Sequence, residues 1–297
     1  MTFQLDNKEL LVKDTFPRIM KLGAEYFEWV DDPNKFIVEL KKKNRSADLF
    51  TFVQKFVPDR TPKYDFYYEW ERIAVLPIST YENWWNQQIR HETRVKIRKA
   101  LKRGIDLRLV ELDDDLVRGI KNIYDESPIR QGKRFWHYQK SLEVLKREHS
   151  TFLDRSQFIG AFYNGELIGF VKIVHDEGLS AFMHVISMIG HRDKAPTNAL
   201  VAKAVAICAE QGIPYLQYGA WSQRGLGDFK INHAFEPVEV PRYFIPLNLR
   251  GKLALTLKLH RKMSENLPQK WIDFAVKYRN KWNTRKFASS TESVRKI

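Results

Sequence analysis

Cysteine is almost absent from this 297-residue sequence, which contains a single one, Cys208. One thiol cannot form an intramolecular disulfide, and it excludes any metal site built from several cysteines. No apolar run approaches the ~20 residues that a membrane-spanning helix needs, so we expect no transmembrane segment. Residues 1–6 show no basic stretch leading into an apolar one. We therefore expect no secretory signal and a cytoplasmic location.

Several motifs of catalysis and nucleotide binding are also missing. The sequence has no G-x-x-x-x-G-K-[ST] phosphate loop, no G-x-S-x-G turn and no H-E-x-x-H pair. Its eight histidines are not spaced as metal ligands, so we expect no metal. The pair Gly225 and Gly227 is too short to form a dinucleotide-binding motif, and a turn at a helix start explains it.

Positive charge is abundant, with a formal net charge of +14. Such an excess favours anionic partners, which include nucleic acid, the phosphates of CoA and an anionic membrane surface. Charge alone does not choose among them, and a solvated basic surface without any such partner explains the same composition. With 43% hydrophobic residues the chain has enough apolar side chains for a sizeable core.

A basic helix is predicted over residues 81–103, with Thr80 as its N-cap. Arg90, Arg94 and Arg98 recur every four residues and therefore form one basic stripe on this helix. The stripe either binds an anion, such as tRNA, or belongs to a cationic helix end that the helix dipole stabilises.

The order of elements becomes regular from residue 105 onwards. Alternating and helical periodicities predict a strand, two helices, three antiparallel strands, a helix, a strand, a short helix and a last strand. The dipeptide Asn164-Gly165 predicts a tight hairpin, and Gly212 predicts the end of the helix that opens at Pro196. This order predicts an α+β fold with a mixed, mostly antiparallel sheet flanked by helices.

The two ends of the chain differ from this regular region. Residues 1–80 are aromatic-rich and form a separate unit, with a helix expected near residues 34–43. Residues 248–287 carry leucines, aromatic residues and many cations, which predicts a basic amphipathic helical extension. Its apolar side either packs onto the protein itself or contacts a membrane surface peripherally. Residues 288–297 are expected to be a flexible tail.

A candidate anion site lies between the strand ending near Ile189 and the helix opening at Pro196. Backbone N–H groups at a helix start, flanked by basic side chains, bind phosphates well. Every helix start has such donors, so the basic and hydroxyl side chains beside them distinguish this one. The candidate donor-binding residues are His191, Arg192, Lys194, Thr197 and Asn198.

Four short motifs occur in an order known from one protein family. Residues 94–104 are R-V-K-I-R-K-A-L-K-R-G, residues 195–198 are A-P-T-N, Tyr218-Gly219 follows, and residues 225–230 are G-L-G-D-F-K. In this order and spacing they resemble the second acyltransferase unit of the Fem-type branch of the GNAT superfamily. The resemblance covers about residues 70–247. The sequence departs from the family pattern at residues 233–235, H-A-F, where relatives often have Phe-Gly.

The resemblance implies a domain plan and an activity. Residues 105–247 are expected to form a GNAT-type acyltransferase domain, with residues 1–80 as an incomplete or divergent first half and residues 81–104 as a linking helix. Fem-type proteins transfer aminoacyl groups from aminoacyl-tRNA, and looser relatives use acyl-CoA. The expected activity is therefore acyl transfer from one of these donors to an amine acceptor. The alternative is a non-catalytic basic protein that uses the fold to bind RNA or an anionic membrane surface.

The same resemblance implies roles for particular residues. Lys230 matches the active-site lysine of the Phe-Lys pair, which stabilises negative charge; otherwise it is a surface lysine on a short helix. Asp228 is a candidate base, as are Glu177 and a water chain, although Asp228 also suits an ordinary helix start. Tyr218 and Trp221 either line the donor cleft or pack in the core.

Overall fold

A computed structural model of the chain describes residues 2–43, 46–223 and 225–261. In these residues the strands are β1 (Thr2–Leu5), β2 (Lys8–Val12), β3 (Ile19–Leu22), β4 (Leu49–Val53), β5 (Tyr68–Pro77), β6 (Asp106–Val110), β7 (Ile129–Arg130), β8 (Lys133–Arg134), β9 (Ser156–Tyr163), β10 (Glu166–Asp176), β11 (Leu179–Ser187), β12 (Tyr215–Ala220) and β13 (Glu236–Pro246). The helices are α1 (Pro33–Lys43), α2 (Tyr81–Asn83), α3 (His91–Lys102), α4 (Asp114–Asp125), α5 (Leu142–His149), α6 (Pro196–Glu210), α7 (Gly225–Asn232) and α8 (Leu249–Thr256).

The described chain divides into two compact units, each assembled from separate segments. The first unit contains residues 2–90, 174–183 and 208–261, and the second contains residues 91–173 and 184–207. Each unit is described by itself below.

The first unit is built on a sheet with the strand order β1-β2-β3-β4-β13-β5-β12, followed by the start of β11. The pairings β3–β4 and β12–β11 are parallel, whereas the other pairings of this unit are antiparallel. Aromatic rings fill its core, where Phe52 stacks on Phe50 and Tyr243 with ring centroids 5.7 and 5.1 Å apart. Tyr243 is fully buried because its hydroxyl finds partners in Gln54 and the Lys63 N–H.

The second unit contains the strand order β10-β9-β6 and the end of β11, with β6 and β9 antiparallel. Strands β9 and β10 are joined by the predicted two-residue turn, in which Asn164 and Gly165 have φ of 50° and 83°. Helix α4 begins at Asp113, whose carboxylate accepts the Leu116 N–H at 2.7 Å. Its buried residues recur every three to four positions, so one face of α4 packs in the core.

The predicted α+β class with a mostly antiparallel sheet is confirmed. The predicted order of elements from β6 to β13 is also found, except that the short hairpin of β7 and β8 between α4 and α5 was not predicted. Helix α6 is followed by Gly212 with φ of 66°, as predicted, and Cys208 on this helix is a buried core residue. Burial raises the pKa of its thiol to about 11, so the thiol is protonated and inert at neutral pH.

The prediction of one continuous helix over residues 81–103 is wrong. A π-helical turn, Trp84–Gln88, follows α2, and the chain is extended at Ile89, with φ −81° and ψ 150°. The interruption buries Trp84, whose indole Nε1 donates to the carbonyl of His233 at 3.1 Å. Arg90 therefore precedes α3 instead of sharing a helix with Arg94 and Arg98.

The second of the two helices predicted after the first strand of this region is α5, which begins at Leu142 and is capped by the Ser141 hydroxyl. The residues before it form turns, and Gln139 has φ of 61°, which a helix does not accommodate.

The C-terminal extension is described only as far as residue 261. Up to that residue the extension contains helix α8. The helices predicted beyond it, and the tail at residues 288–297, lie outside the described residues. Across the part of the chain that the structure describes, no helix combines the length and apolarity needed to cross a membrane.

Candidate functional site

Lys230 on α7 is buried, with 2% of its surface exposed. Its ammonium donates to the carbonyl oxygen of Ala220 at 2.7 Å and lies 4.8 Å from the centre of the Tyr218 ring. Both partners belong to β12, so the lysine side chain reaches from the helix to the end of this strand. Lys230 is therefore not a surface lysine. Of the predicted site residues, Tyr218 is in contact with it.

The backbone around Lys230 is shaped by glycines. Strand β12 bulges between Gln217 and Ala220, and Gly219 within the bulge has a φ of 58°. In α7, a Cβ on Gly227 would lie 2.1 Å from the carbonyl oxygen of Ser222. Only glycine fits this contact, which brings the segment after β12 directly against the helix that carries Lys230.

Burial lowers the pKa of Lys230 to about 8. An ammonium taken out of water without a carboxylate partner is destabilised, and here a carbonyl dipole and an aromatic face replace the lost hydration. At neutral pH the group is still mostly protonated. It therefore places a positive charge where little water surrounds it.

The other residues predicted near Lys230 occupy different environments. Asp228 is exposed in the first turn of α7, and Glu177 is exposed in the turn between β10 and β11. Trp221 is half-buried just after β12, where its backbone N–H donates to the carbonyl of Arg72 at 2.7 Å. Tyr218 packs against Phe182, with ring centroids 5.0 Å apart.

The loop before α6 binds a carboxylate of the protein itself. Glu126 accepts the N–H of Ile189 at 2.6 Å and the N–H of Gly190 at 2.7 Å through its two oxygens. Arg130 contacts the same carboxylate at 3.1 Å and donates to the carbonyl of Ser187 at 2.8 Å. Two consecutive N–H groups on one carboxylate form an anion-binding arrangement. It uses N–H groups of residues 189–190, whereas the sequence placed the candidate donors at the helix start near Pro196.

The five predicted donor-binding residues lie around this loop in the second unit. The rings of His191 and Tyr163 are 5.7 Å apart, and the Lys194 ammonium is 4.9 Å from the centre of the same tyrosine ring. Thr197 shares a hydrogen bond of 2.7 Å with Ser187. Arg192 is exposed, and Asn198 is half-buried in the first turn of α6.

The basic stripe is reduced to two members on one helix. Arg94 and Arg98 are four residues apart on α3, whose buried face is formed by Thr93, Ile97 and Ala100. Arg98 is exposed and Arg94 is half-buried beside that face.

Comparison with known proteins gives a fold but no sequence family. No protein-family model matches the sequence, and no curated protein is significantly similar to it. Among solved structures, FemX is 12% identical, with 84% of this chain and 86% of that chain covered and a TM-score of 0.60. L-PGS from Bacillus licheniformis is 14% identical, with 88% of this chain and 89% of that chain covered and a TM-score of 0.55.

This chain has the fold of FemX. At such low identity the likeness shows the fold alone, and it confirms the predicted Fem-like fold. The alignment extends over more than four fifths of the chain, so the FemX-like fold includes N-terminal residues that the sequence motifs did not reach.

Two features of this FemX-like chain carry no sequence signal. Glu126 lies 63 residues before the loop that it contacts, so nothing in its surroundings along the chain indicates that contact.

The second feature without a sequence signal is a buried group of basic side chains in the second unit. Its lysine, Lys172, is fully buried and donates to the carbonyl of His149 at 2.8 Å and to the Thr151 hydroxyl at 3.4 Å.

Burial also keeps the histidines of this group uncharged. Burial, together with the nearby ammonium of Lys172, lowers the pKa of His149 to about 3, and burial lowers the pKa of His137 to about 4. The rings of His149 and His184 lie 4.6 Å apart, and burial lowers the pKa of His184 as well. Neutral imidazoles beside a satisfied ammonium stabilise the packing of this unit at neutral pH.

Proposed function

We propose that this chain transfers an acyl or aminoacyl group from acyl-CoA or aminoacyl-tRNA to an amine acceptor. The observation that carries the proposal is the buried ammonium of Lys230, held by Ala220 and Tyr218 at the end of β12. A buried cation costs folding free energy, so its place in the interior favours a role in chemistry. The FemX-like fold supports the same class of reaction.

The chemistry needs such a cation. The amine nitrogen attacks the acyl carbonyl carbon, a C–N bond forms, and the C–S bond of a thioester or the C–O bond of an ester breaks. Negative charge builds on the carbonyl oxygen during the attack, and a fixed donor in a poorly hydrated site stabilises it. In this proposal Lys230 stabilises that oxygen or neutralises a phosphate of the donor.

The amine must also lose a proton. Asp228 and Glu177 are both exposed, so either of them passes this proton directly to solvent if it acts as the base. A water chain is the third candidate, and it needs no particular side chain.

The donor phosphates are assigned to the loop before α6. Its N–H groups already hold the Glu126 carboxylate, which supports the affinity of this backbone for anions. Arg192 and Lys194 add positive charge, and Thr197 and Asn198 add polar groups at the helix start. CoA and the end of a tRNA both present phosphates to such a loop.

Thermal unfolding with each donor tests this assignment. A ligand that binds only the folded protein stabilises it by about 2.7 kcal/mol at a concentration of 100 times its Kd. We expect CoA or aminoacyl-tRNA to raise the Tm, and Arg192→Gln with Lys194→Gln to remove the shift. The matched control is Lys133→Gln with Arg134→Gln, two exposed cations on β8. No shift with either donor would rule out the loop as a donor site.

A second candidate function is supported by the same carboxylate. Because Glu126 occupies two N–H groups of the loop, the fold also suits a protein that binds RNA or an anionic membrane through its basic surface without catalysis. Donor-independent RNA or membrane binding, together with no turnover of either donor, would favour this function.

A further inference from the structure

A line of large apolar side chains on α8 and at its C-cap, Leu257, faces solvent. Leu249, Leu253 and Leu257 follow at intervals of four residues and are 80%, 57% and 58% exposed. Residues four apart lie on one side of a helix, so these leucines form a continuous stripe. We call Leu249, Leu253 and Leu257 the leucine stripe. Apolar side chains grouped in this way at a surface mark an interaction site more often than single exposed leucines do.

The helix is fixed with this side outward. A Cβ on Gly251 would lie 1.9 Å from the carbonyl oxygen of Asp48, so the helix backbone lies directly on that residue. Ala254, three residues later, is fully buried on the same side. Asn248 caps the helix at the Gly251 N–H and donates to the carbonyl of Ala47 at 3.2 Å. Only small residues fit the inward side, and the leucines therefore project away from it.

Beyond the end of α8 the chain is tied down again. The His260 imidazole lies 3.0 Å from a Glu69 carboxylate oxygen, and Arg261 donates to the same oxygen at 2.8 Å. The helix is thus anchored on both sides, and the exposure of its leucines does not come from a loose chain end.

The residues beside the stripe are basic. Arg250, Lys252 and Lys258 are exposed, and no Asp or Glu occurs between Glu239 and Glu265 in the sequence. Leucines flanked by cations, with no acid among residues 240–264, match an anionic membrane surface, which takes apolar side chains and attracts Lys and Arg.

Phe16 adds another exposed apolar side chain to the same surface. Phe16 is 60% exposed and lines, with Leu249, Arg18 and Arg250, a cavity of about 670 Å³. Two acids also line this cavity: Asp48 is buried and accepts the backbone N–H of Arg18 at 2.9 Å, whereas Asp14 is exposed. The cavity thus joins two exposed apolar groups to two arginines next to the leucine stripe.

We propose that the leucine stripe, with Phe16 and the adjacent cations, docks this protein onto an anionic lipid surface. In this arrangement α8 lies parallel to the membrane with its leucines among the acyl chains. Arg250, Lys252 and Lys258 then lie at the level of the phosphates. The proposal is independent of the acyl-transfer assignment, because none of these residues is among those assigned to donor binding or catalysis.

Co-sedimentation of the full chain with vesicles tests the proposal. We expect binding to vesicles of phosphatidylcholine with one quarter phosphatidylglycerol, and weak binding to phosphatidylcholine alone. Leu249→Ser with Leu253→Ser should reduce the partition coefficient by about tenfold or more. The reason is that serine does not gain the free energy that a leucine side chain gains on transfer from water into the acyl chains. Arg250→Gln with Lys258→Gln should reduce it and flatten its dependence on salt.

The matched control is Leu109→Ser with Leu153→Ser, two leucines that are 54% and 47% exposed in the second unit. This control should bind vesicles as the unchanged protein does. Equal binding by the α8 variant and this control, or no binding of the full chain to anionic vesicles, would overturn the proposal. So would a concentration-dependent dimer that Leu249→Ser with Leu253→Ser dissociates, because a second copy would then cover the stripe.

Discussion

Replacing Lys230 with methionine measures how much the buried charge of this lysine lowers the free energy of unfolding. Lys230→Met keeps most of the side-chain volume and removes only the ammonium that contacts Ala220 and Tyr218. Because the side chain is 2% exposed, a truncation to alanine would add the cost of a cavity, which methionine avoids.

The magnitude follows from the pKa of the lysine. Burial lowers it from 10.5 to about 8, and one pKa unit corresponds to about 1.4 kcal/mol. The folded state therefore carries a penalty of at most about 3.5 kcal/mol for holding the charge. Since the folded pKa lies below the unfolded one, this penalty is complete below pH 8. It disappears as the pH rises from about 8 to 10.5.

Urea unfolding of the two proteins between pH 7 and 10.5 measures this difference. At pH 7 we expect Lys230→Met to be more stable than the unchanged protein by about 1–3 kcal/mol. The advantage should vanish by pH 10.5, because the unchanged protein then folds with a neutral lysine. The other ionisable groups are common to both proteins and cancel in the comparison. A methionine variant less stable at pH 7, or a difference independent of pH, would show that the ammonium stabilises the fold and would refute this reasoning.

Three further predictions concern the second unit. Arg94→Glu with Arg98→Glu should weaken tRNA binding by about tenfold or more and reduce the salt dependence of the affinity. Filter binding at several salt concentrations measures both effects, and an unchanged affinity would show that the two arginines do not contact tRNA. Glu126→Gln removes the carboxylate charge from the N–H groups of the loop and should tighten binding of inorganic pyrophosphate about tenfold in calorimetry; equal affinities would mean that the loop does not take phosphates. The folded pKa values of His137 and His149 lie below the unfolded value of 6.5, so stability should be full above pH 6.5 and fall towards pH 5 by about 2 kcal/mol for each histidine. A His149→Asn variant should lose about 2 kcal/mol less stability than the unchanged protein between pH 6.5 and pH 5. An equal loss would contradict the claim that His149 is neutral in the folded protein.

The order of elements was predictable because local signals specify it. The Asn164-Gly165 turn needs positive φ twice, and Gly212 ends α6 with a positive φ, so both are visible from residue type alone. The break after α2 was not predictable. It depends on the contact of Trp84 with His233, which is 149 residues away, and the helical pattern of residues 81–103 contains no sign of it.

The candidate site was predictable in its residues but not in its environment. The Phe-Lys pair identified Lys230, whereas its burial depends on Ala220 and on a bulged strand that periodicity does not reveal. Similarly, the loop before α6 was identified by its position, but Glu126 comes from a distant helix end. Long-range contacts thus decide which of the predicted residues have unusual chemistry.

Donor turnover with and without Lys230 tests the central claim most directly. Labelled acyl-CoA and aminoacyl-tRNA would each be incubated with the protein, and slow hydrolysis of the donor would be followed in place of transfer to the acceptor. We expect the unchanged protein to consume one of the two donors, Lys230→Met to be slower by about 100-fold or more, and Lys230→Arg to recover only part of the rate. Equal turnover by the unchanged protein and Lys230→Met, or no turnover of either donor, would contradict the proposed role of this lysine.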